Sequence, residues 1–151
     1  MIYTQIDDSF SSKFQDDLLI QAAEATLLQQ GVQPDFNELT IVITGDVEVR
    51  ELNHQYLGID APTDVLSFSA GEVDPETGQK YLGDIIISYP QAEKQALVAG
   101  HPVQDELQLL IVHGSLHLLG HDHAEPVEKT AMWAAQGIIL KSLGNSIQEV
   151  G

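Results

Sequence analysis

The amino-acid sequence predicts an α+β fold in which a small mixed β-sheet is packed with about five helices. Its 151 residues are the length of one domain, so residues 1–151 are expected to form a single domain. Hydrophobic residues make up 43% of the chain and charged residues 19%, which is typical of a folded core and argues against disorder. Strand-like and helix-like apolar patterns alternate irregularly, which favours α+β over a regular βα repeat.

The first four predicted elements alternate between strand and helix. Residues 1–7 alternate in polarity and predict a short strand, whereas residues 13–30 have helical apolar spacing and end before a glycine. Residues 39–44 are rich in β-branched side chains and predict a buried strand. A helix over 47–56 follows, and Asp46 is expected to cap its first turn.

The rest of the chain is predicted to contain two strands and then three helices. The strands cover 64–69 and 81–88, and the segment 71–79 between them is an exposed connection rich in turn-forming residues. Pro90 suits the first turn of the helix that follows. The helices are predicted over residues 90–99, 103–119 and 125–143.

The charge balance is strongly acidic. The chain has 6 Lys and Arg residues against 23 Asp and Glu residues, a formal net charge of −17. Nucleic-acid-binding proteins usually present a basic face, so this composition disfavours binding driven by electrostatics, although a metal ion can supply local positive charge. The absence of Cys excludes disulfides, thiolate metal sites and a cysteine nucleophile.

The sequence predicts a cytoplasmic location. The first residues carry neither a basic segment nor a long apolar segment, so they do not resemble a signal peptide. The longest apolar runs, such as Leu109 to Val112, are too short to span a bilayer. We therefore expect no membrane partner.

Four of the six histidines lie within eleven residues. His113 and His117 are four positions apart, so on a helix their imidazoles project from one face. Gly120 can adopt a positive φ, end the helix and let the chain bring His123 back toward the pair. Three imidazoles with an open fourth position form a catalytic zinc site. The spacing predicts a metal site on the long helix and the turn after it, with His113, His117 and His123 as ligands.

Two neighbouring residues are candidates for catalysis. His121 is four positions beyond His117, but Gly120 breaks the helical register, so His121 is expected to face substrate or support the ligands. Asp122 can hydrogen-bond a ligand imidazole. Both are the nearest candidates for a general base, and either water or a hydroxyl group of the substrate can be the nucleophile. The spacing also matches the metzincin metalloproteases, but Gly114 replaces their glutamate base, which disfavours a zinc peptidase.

Four other residues near these motifs are predicted to have no part in catalysis or metal binding. Asp64 is expected to form part of a turn and Ser67 to be a small strand residue. His101 lies between a glycine and a proline and is predicted to be solvated. Trp133 is predicted to pack in the core.

Short motifs accompany the histidine segment, which reads HGSLHLLGHDH from His113 to His123. In chain order they are Leu52-Asn53, PTDVLSF from Pro62, LGDIIIS from Leu82, Glu106-Leu107 and Met132. Together, over about residues 38 to 140, they resemble the YbeY family of bacterial rRNA maturation factors, which are described as metal-dependent endoribonucleases specific for single strands.

The resemblance implies a specific activity and set of partners. The chain is expected to bind one zinc ion through His113, His117 and His123 and to cleave single-stranded RNA. The implied role is in 16S rRNA 3′-end maturation and ribosome quality control, with the small ribosomal subunit as partner. No DNA partner is expected, and nothing in the sequence indicates an oligomeric state.

The sequence departs from the family at one position. The family usually has an Arg, associated with RNA binding and catalysis, between the Tyr and the Gly that precede the PTD motif, and here Leu57 lies between Tyr56 and Gly58. Arg50 is about two helical turns away, which is too far to substitute simply. Leu57 and the acidic charge favour an alternative function, a zinc-stabilised ribosome assembly factor with weak or no intrinsic nuclease activity.

Overall fold

Nine elements follow one another along residues 1–147, the part of the chain that the computed structural model describes. The four strands are β1 (Ile2–Ile6), β2 (Asn37–Thr44), β3 (Val65–Val73) and β4 (Lys80–Ser88). The five helices are α1 (Asp16–Gln29), α2 (Asp46–Leu57), α3 (Tyr89–Ala99), α4 (Val103–Leu118) and α5 (Pro126–Ser142). The predicted α+β fold with a small sheet and about five helices is confirmed.

The four strands form one mixed sheet in the order β1-β2-β4-β3. β1, β2 and β4 run parallel: α1 crosses over from β1 to β2, and α2 leads from β2 to the hairpin in which β3 pairs antiparallel with β4. β3 is therefore an edge strand. Its partner β4 carries Gly83, whose φ of +140° lies beside the register shift in the pairing of β2 with β4.

The two faces of the sheet bury different clusters, because successive side chains of a strand point to opposite faces. Ile85 and Ile87 of β4 belong to the main core, which lies between the sheet and α1, α4 and α5. Ile86 points to the other face and packs with Val49 of α2 and Leu66 of β3. α4 contributes the largest share of buried residues among the helices, so it holds its polar residues in fixed positions against the sheet.

The structure corrects three local predictions. α1 begins at Asp16, not at residue 13, because the residues before it form turns, such as the one closed by the bond from the Lys13 amide to the Phe10 carbonyl. Asp46 does not cap α2; it is the first helical residue, and its carboxylate accepts a 2.6 Å hydrogen bond from the Ser88 hydroxyl. β3 continues three residues into the predicted connection 71–79, since it keeps pairing with β4 up to Val73.

Among residues 1–147, no helix is both long and apolar enough to cross a membrane.

Candidate metal centre

The end of α4 and the turn after it present the three histidines. The helix stops at Leu118, and the amides of Gly120 and His121 bond back to the carbonyls of His117 and Leu116. Gly120 has a φ of +99°, a conformation that favours glycine. The predicted helix end at this glycine is thus confirmed, and the turn returns His123 toward the helix.

The three imidazoles converge on one point. One ring nitrogen from each of His113, His117 and His123 lies within 4.8 Å of the other two. The Nε2 atoms of His113 and His117 are 3.1 Å apart. A tetrahedral zinc ion with bonds of about 2.0–2.1 Å would hold two nitrogens about 3.3 Å apart, so this spacing suits such a site.

The second nitrogen of each helical histidine is already occupied, which determines the tautomers. His113 Nδ1 lies 2.6 Å from the Gln136 side-chain oxygen of α5, and His117 Nδ1 lies 2.9 Å from the His121 carbonyl. Because both partners are acceptors, both Nδ1 atoms must donate, and the neutral rings direct their Nε2 lone pairs at each other. Two facing lone pairs repel unless a proton or a cation lies between them. The donor set therefore fits a metal ion.

Burial favours the neutral form of the two helical imidazoles. Desolvation lowers the pKa of His113, although the Gln136 contact acts in the opposite direction. Desolvation also lowers the pKa of His117, again opposed by its hydrogen bond to the His121 backbone. A metal binds the neutral form of histidine, so the lowered pKa values favour ligation near neutral pH.

The histidines form one side of an open groove of about 570 Å³, called here the histidine groove. Its opposite wall is formed by β3 and the preceding Asp64, and Leu57 at the end of α2 also lines it. An adjoining cavity of about 330 Å³ shares Asp64, Val65 and His113 with the groove. The site is thus accessible to a long, extended ligand.

Comparisons with known proteins agree with this geometry. The family described as Endoribonuclease YbeY matches residues 2–144. Proteins named Endoribonuclease YbeY from Dehalococcoides mccartyi and a Roseiflexus species are 44% and 40% identical to the chain. The matches cover 83% of this chain and 79% of the first protein, and 96% of this chain and 94% of the second.

The chain belongs to the YbeY family.

This membership confirms the resemblance predicted from the sequence and the assignment of the enzyme class, an endoribonuclease. A YbeY-like fold is also seen in a solved structure, the solution structure of a Thermotoga maritima protein. That protein is 27% identical to the chain and has a TM-score of 0.64, with 95% of this chain and 89% of that one covered.

The two candidate catalytic residues line the groove of this YbeY member but contact other partners. The Nε2 atom of His121 is 2.6 Å from the side-chain oxygen of Gln30, at the end of α1. The Asp122 carboxylate accepts a 2.7 Å bond from the His123 amide rather than from a ligand imidazole. Both side chains therefore contact protein groups other than the three clustered imidazoles.

Several contacts at the YbeY site were absent from the sequence interpretation. Gln136 is almost completely buried and positions His113 from a different helix. Trp133, predicted to be a core residue, is half-buried and packs edge-on against His113 and His123 at 5.8 and 5.7 Å. No local pattern marks either residue, because the contact joins α5 to α4.

The prediction that His101 is solvated is wrong. Its Nε2 atom lies 2.8 Å from the Glu106 carboxylate, and both side chains are largely buried beside the smaller cavity. Glu106 lies in the first turn of α4, which places its carboxylate beside the loop that carries His101.

The surroundings of Gly114 show why α4 does not carry the glutamate base of a metalloprotease. A Cβ atom at this position would lie 2.8 Å from Ile85 Cγ2 and 3.1 Å from Ser67 Oγ. The residue after His113 therefore faces the sheet, where a glutamate side chain has no space. This observation further disfavours the zinc peptidase alternative.

We expect Gly114→Ala to destabilise the fold by about 1–2 kcal/mol, because overpacking against β4 outweighs the better helix propensity of Ala. Urea unfolding of the metal-free protein measures this. Gly137→Ala on α5 is the matched control, since no atom within 4 Å would meet its Cβ, and it is expected to be neutral or stabilising. Equal stability of the two variants would contradict the packing argument.

Proposed function

We propose that this chain is a zinc-dependent endoribonuclease specific for single-stranded RNA, active in 16S rRNA 3′-end maturation and ribosome quality control. It forms a single domain, works in the cytoplasm and has the small ribosomal subunit as partner. The observation that carries the proposal is the convergence of three imidazoles beside an open groove in a YbeY-family fold.

One zinc ion per chain is held by His113, His117 and His123. When bound, zinc acts as a Lewis acid that polarises a phosphoryl oxygen and promotes deprotonation of the nucleophile. The all-nitrogen donor set and the 3.1 Å separation of two Nε2 atoms support zinc over the oxygen-seeking Mg²⁺ and Ca²⁺.

The chain's own residues orient the histidine ligands and accept the proton that the nucleophile releases. Gln136 and the His121 carbonyl hold the two helical imidazoles in the tautomer that leaves Nε2 free. His121 and Asp122 are the proposed proton acceptors. Because the Nε2 atom of His121 must donate to Gln30, its lone pair is on Nδ1.

Cleavage of single-stranded RNA by the zinc-loaded protein tests this function. The expected result is cleavage that disappears after chelation and returns with zinc, and that is absent on a DNA strand or an RNA duplex of the same sequence. Cleavage that persists in full after verified zinc removal would contradict the proposal. A precursor of 16S rRNA within the small subunit is the second substrate to test.

The alternative is a zinc-stabilised ribosome assembly factor with weak or no nuclease activity. Leu57, which is 57% exposed, occupies the groove where the family resemblance places an Arg. The sole Arg of the sequence, Arg50, donates two hydrogen bonds to Asp60, so its positive charge is already paired with a carboxylate. Zinc binding and association with the small subunit without cleavage in either assay would establish this alternative.

Leu57→Arg is expected to tighten binding of single-stranded RNA about tenfold, the lower end of what a hydrogen bond to a charged group contributes. The new guanidinium would lie at the C-terminal end of α2, where the helix dipole also favours a cation. Fluorescence anisotropy with a short labelled RNA measures the affinity, and Leu57→Gln is the neutral control. The gain must shrink as salt increases, and a salt-independent gain would contradict the electrostatic cause.

A further inference from the structure

The outer edge of β3 is open along the histidine groove. β3 ends the sheet order, so only one of its two edges pairs with β4. The groove is lined by five residues of the segment from Asp64 to Ser69, opposite the histidines. An unpaired strand edge carries a row of backbone donors and acceptors, which are ready to bind an extended chain.

The register shows which backbone groups face the groove. The Ser88 amide donates to the Asp64 carbonyl at 2.9 Å, which makes these two residues a hydrogen-bonded pair of the antiparallel ladder. Such pairs alternate along the ladder, so Leu66 and Phe68 also face β4. The backbone groups of the intervening residues, Val65, Ser67 and Ser69, face the groove.

Most of these groups have no protein partner among residues 1–147. The Val65 amide donates to the Asp64 carboxylate at 2.8 Å. No loop or side chain of the described residues bonds to the amides of Ser67 and Ser69 or to the carbonyls of Val65 and Ser67. Two donors and two acceptors thus alternate along one wall of the groove. Equivalent groups repeat every two residues, about 6.6–6.8 Å.

The charges of the groove make neutral donors important. Asp64 and Asp122 are its only ionisable side chains besides the histidines among the described residues, and neither Lys nor Arg lines it. The whole chain has a net charge of −17. A phosphate entering the groove therefore has to be bound by N–H or O–H donors of residues other than Lys and Arg, or by the metal.

We propose that the open edge of β3 binds one strand of RNA. The amides of Ser67 and Ser69 donate to phosphate oxygens, and the carbonyls of Val65 and Ser67 accept hydrogen bonds from 2′-hydroxyls. The alternating donors and acceptors match a ribose-phosphate backbone, and the carbonyls select RNA because DNA lacks the 2′-hydroxyl donor. The choice of RNA as the ligand rests on the proposed function.

The test compares two substitutions at Ser69, where the strand is exposed. Ser69→Pro removes the amide donor, and an outward-facing edge position tolerates proline. Ser69→Ala removes only the hydroxyl and is the matched control. With the full-length zinc-bound protein and a labelled uridine octamer, Ser69→Pro is expected to weaken binding about tenfold. Ser69→Ala should stay within about twofold of the parent.

Amide chemical shifts of the unmodified protein give a second measurement that does not depend on a proline variant folding. Titration with the octamer should shift the amides of Ser67 and Ser69 more than those of Leu66 and Phe68. The 2′-deoxy octamer should bind less tightly. Equal affinities of the Pro and Ala variants, or an extended peptide that shifts these amides when RNA does not, would overturn the proposal.

The same experiments separate this inference from the proposed function. Binding of RNA along β3 without any cleavage supports the inference and favours the assembly factor. Cleavage with no effect at β3 supports the nuclease and overturns the inference. Absence of RNA binding by the zinc-loaded protein would overturn both.

Discussion

His117→Ala is expected to lose stoichiometric zinc and to reduce RNA cleavage at least about 100-fold. Mutating even a residue that only hydrogen-bonds to a metal ligand typically lowers metal affinity or activity by about 10- to 100-fold. Of the three proposed ligands, His117 has both ring nitrogens held by contacts within the cluster and its turn. Its Nε2 faces His113 at 3.1 Å, and its Nδ1 is held by the turn that carries His123. Removing it leaves two imidazoles from separate elements, which no longer enclose an ion.

Metal content measured by elemental analysis, together with cleavage of a single-stranded RNA, checks this expectation. His54→Ala is the matched control, because His54 is an exposed histidine on α2 outside the cluster, and it should keep both zinc and activity. Thermal unfolding separates loss of the site from loss of the fold. A His117→Ala protein that retains one zinc per chain would refute the ligand assignment.

Gly83→Ala is expected to destabilise the protein by about 3 kcal/mol or more, the sum of backbone strain and steric overlap. At a φ of +140° an L-residue is strained, and the added Cβ would lie 2.1 Å from the Phe68 carbonyl oxygen. That oxygen belongs to β3, so relief requires the β3–β4 pairing to shift. Because a domain is stable by only about 5–15 kcal/mol, this is a large fraction of the total.

Urea unfolding of both proteins measures the effect. Gly78→Ala in the hairpin is the control for the backbone term alone, since its φ is +76° and no atom within 4 Å would meet the new Cβ. Gly78→Ala is expected to lower the free energy of unfolding by about 1 kcal/mol. If Gly83→Ala is no less stable than Gly78→Ala, the steric argument is wrong. A stable Gly83→Ala protein should also show altered RNA binding, because β3 forms a wall of the groove.

The nine elements could be predicted because each has a local cause. β-branched runs marked β2, helical apolar spacing marked α1 and α4, and glycines marked the helix ends. Two predictions are wrong because a distant partner changes a local preference. Asp46 has the chemistry of a cap, but Ser88, 42 residues away, takes its carboxylate. The first three residues of the predicted connection, 71–73, are strand because β4 pairs with this segment.

The sequence by itself determined the metal-binding pattern. A separation of four residues places His113 and His117 on one helix face, and Gly120 permits the turn that returns His123, because both are consequences of local backbone geometry. The motifs likewise determined the family, which the match over residues 2–144 confirms.

Only the tertiary structure decided what surrounds the ligands. Gln136 of α5 holds His113, Gln30 of α1 holds His121, and Ser67 of β3 packs over Gly114 from 47 residues away. It also placed the unpaired edge of β3 along the groove. Hydrogen bonds and packing between elements depend on how the whole core assembles, and no periodicity along the chain records which residues that assembly brings together.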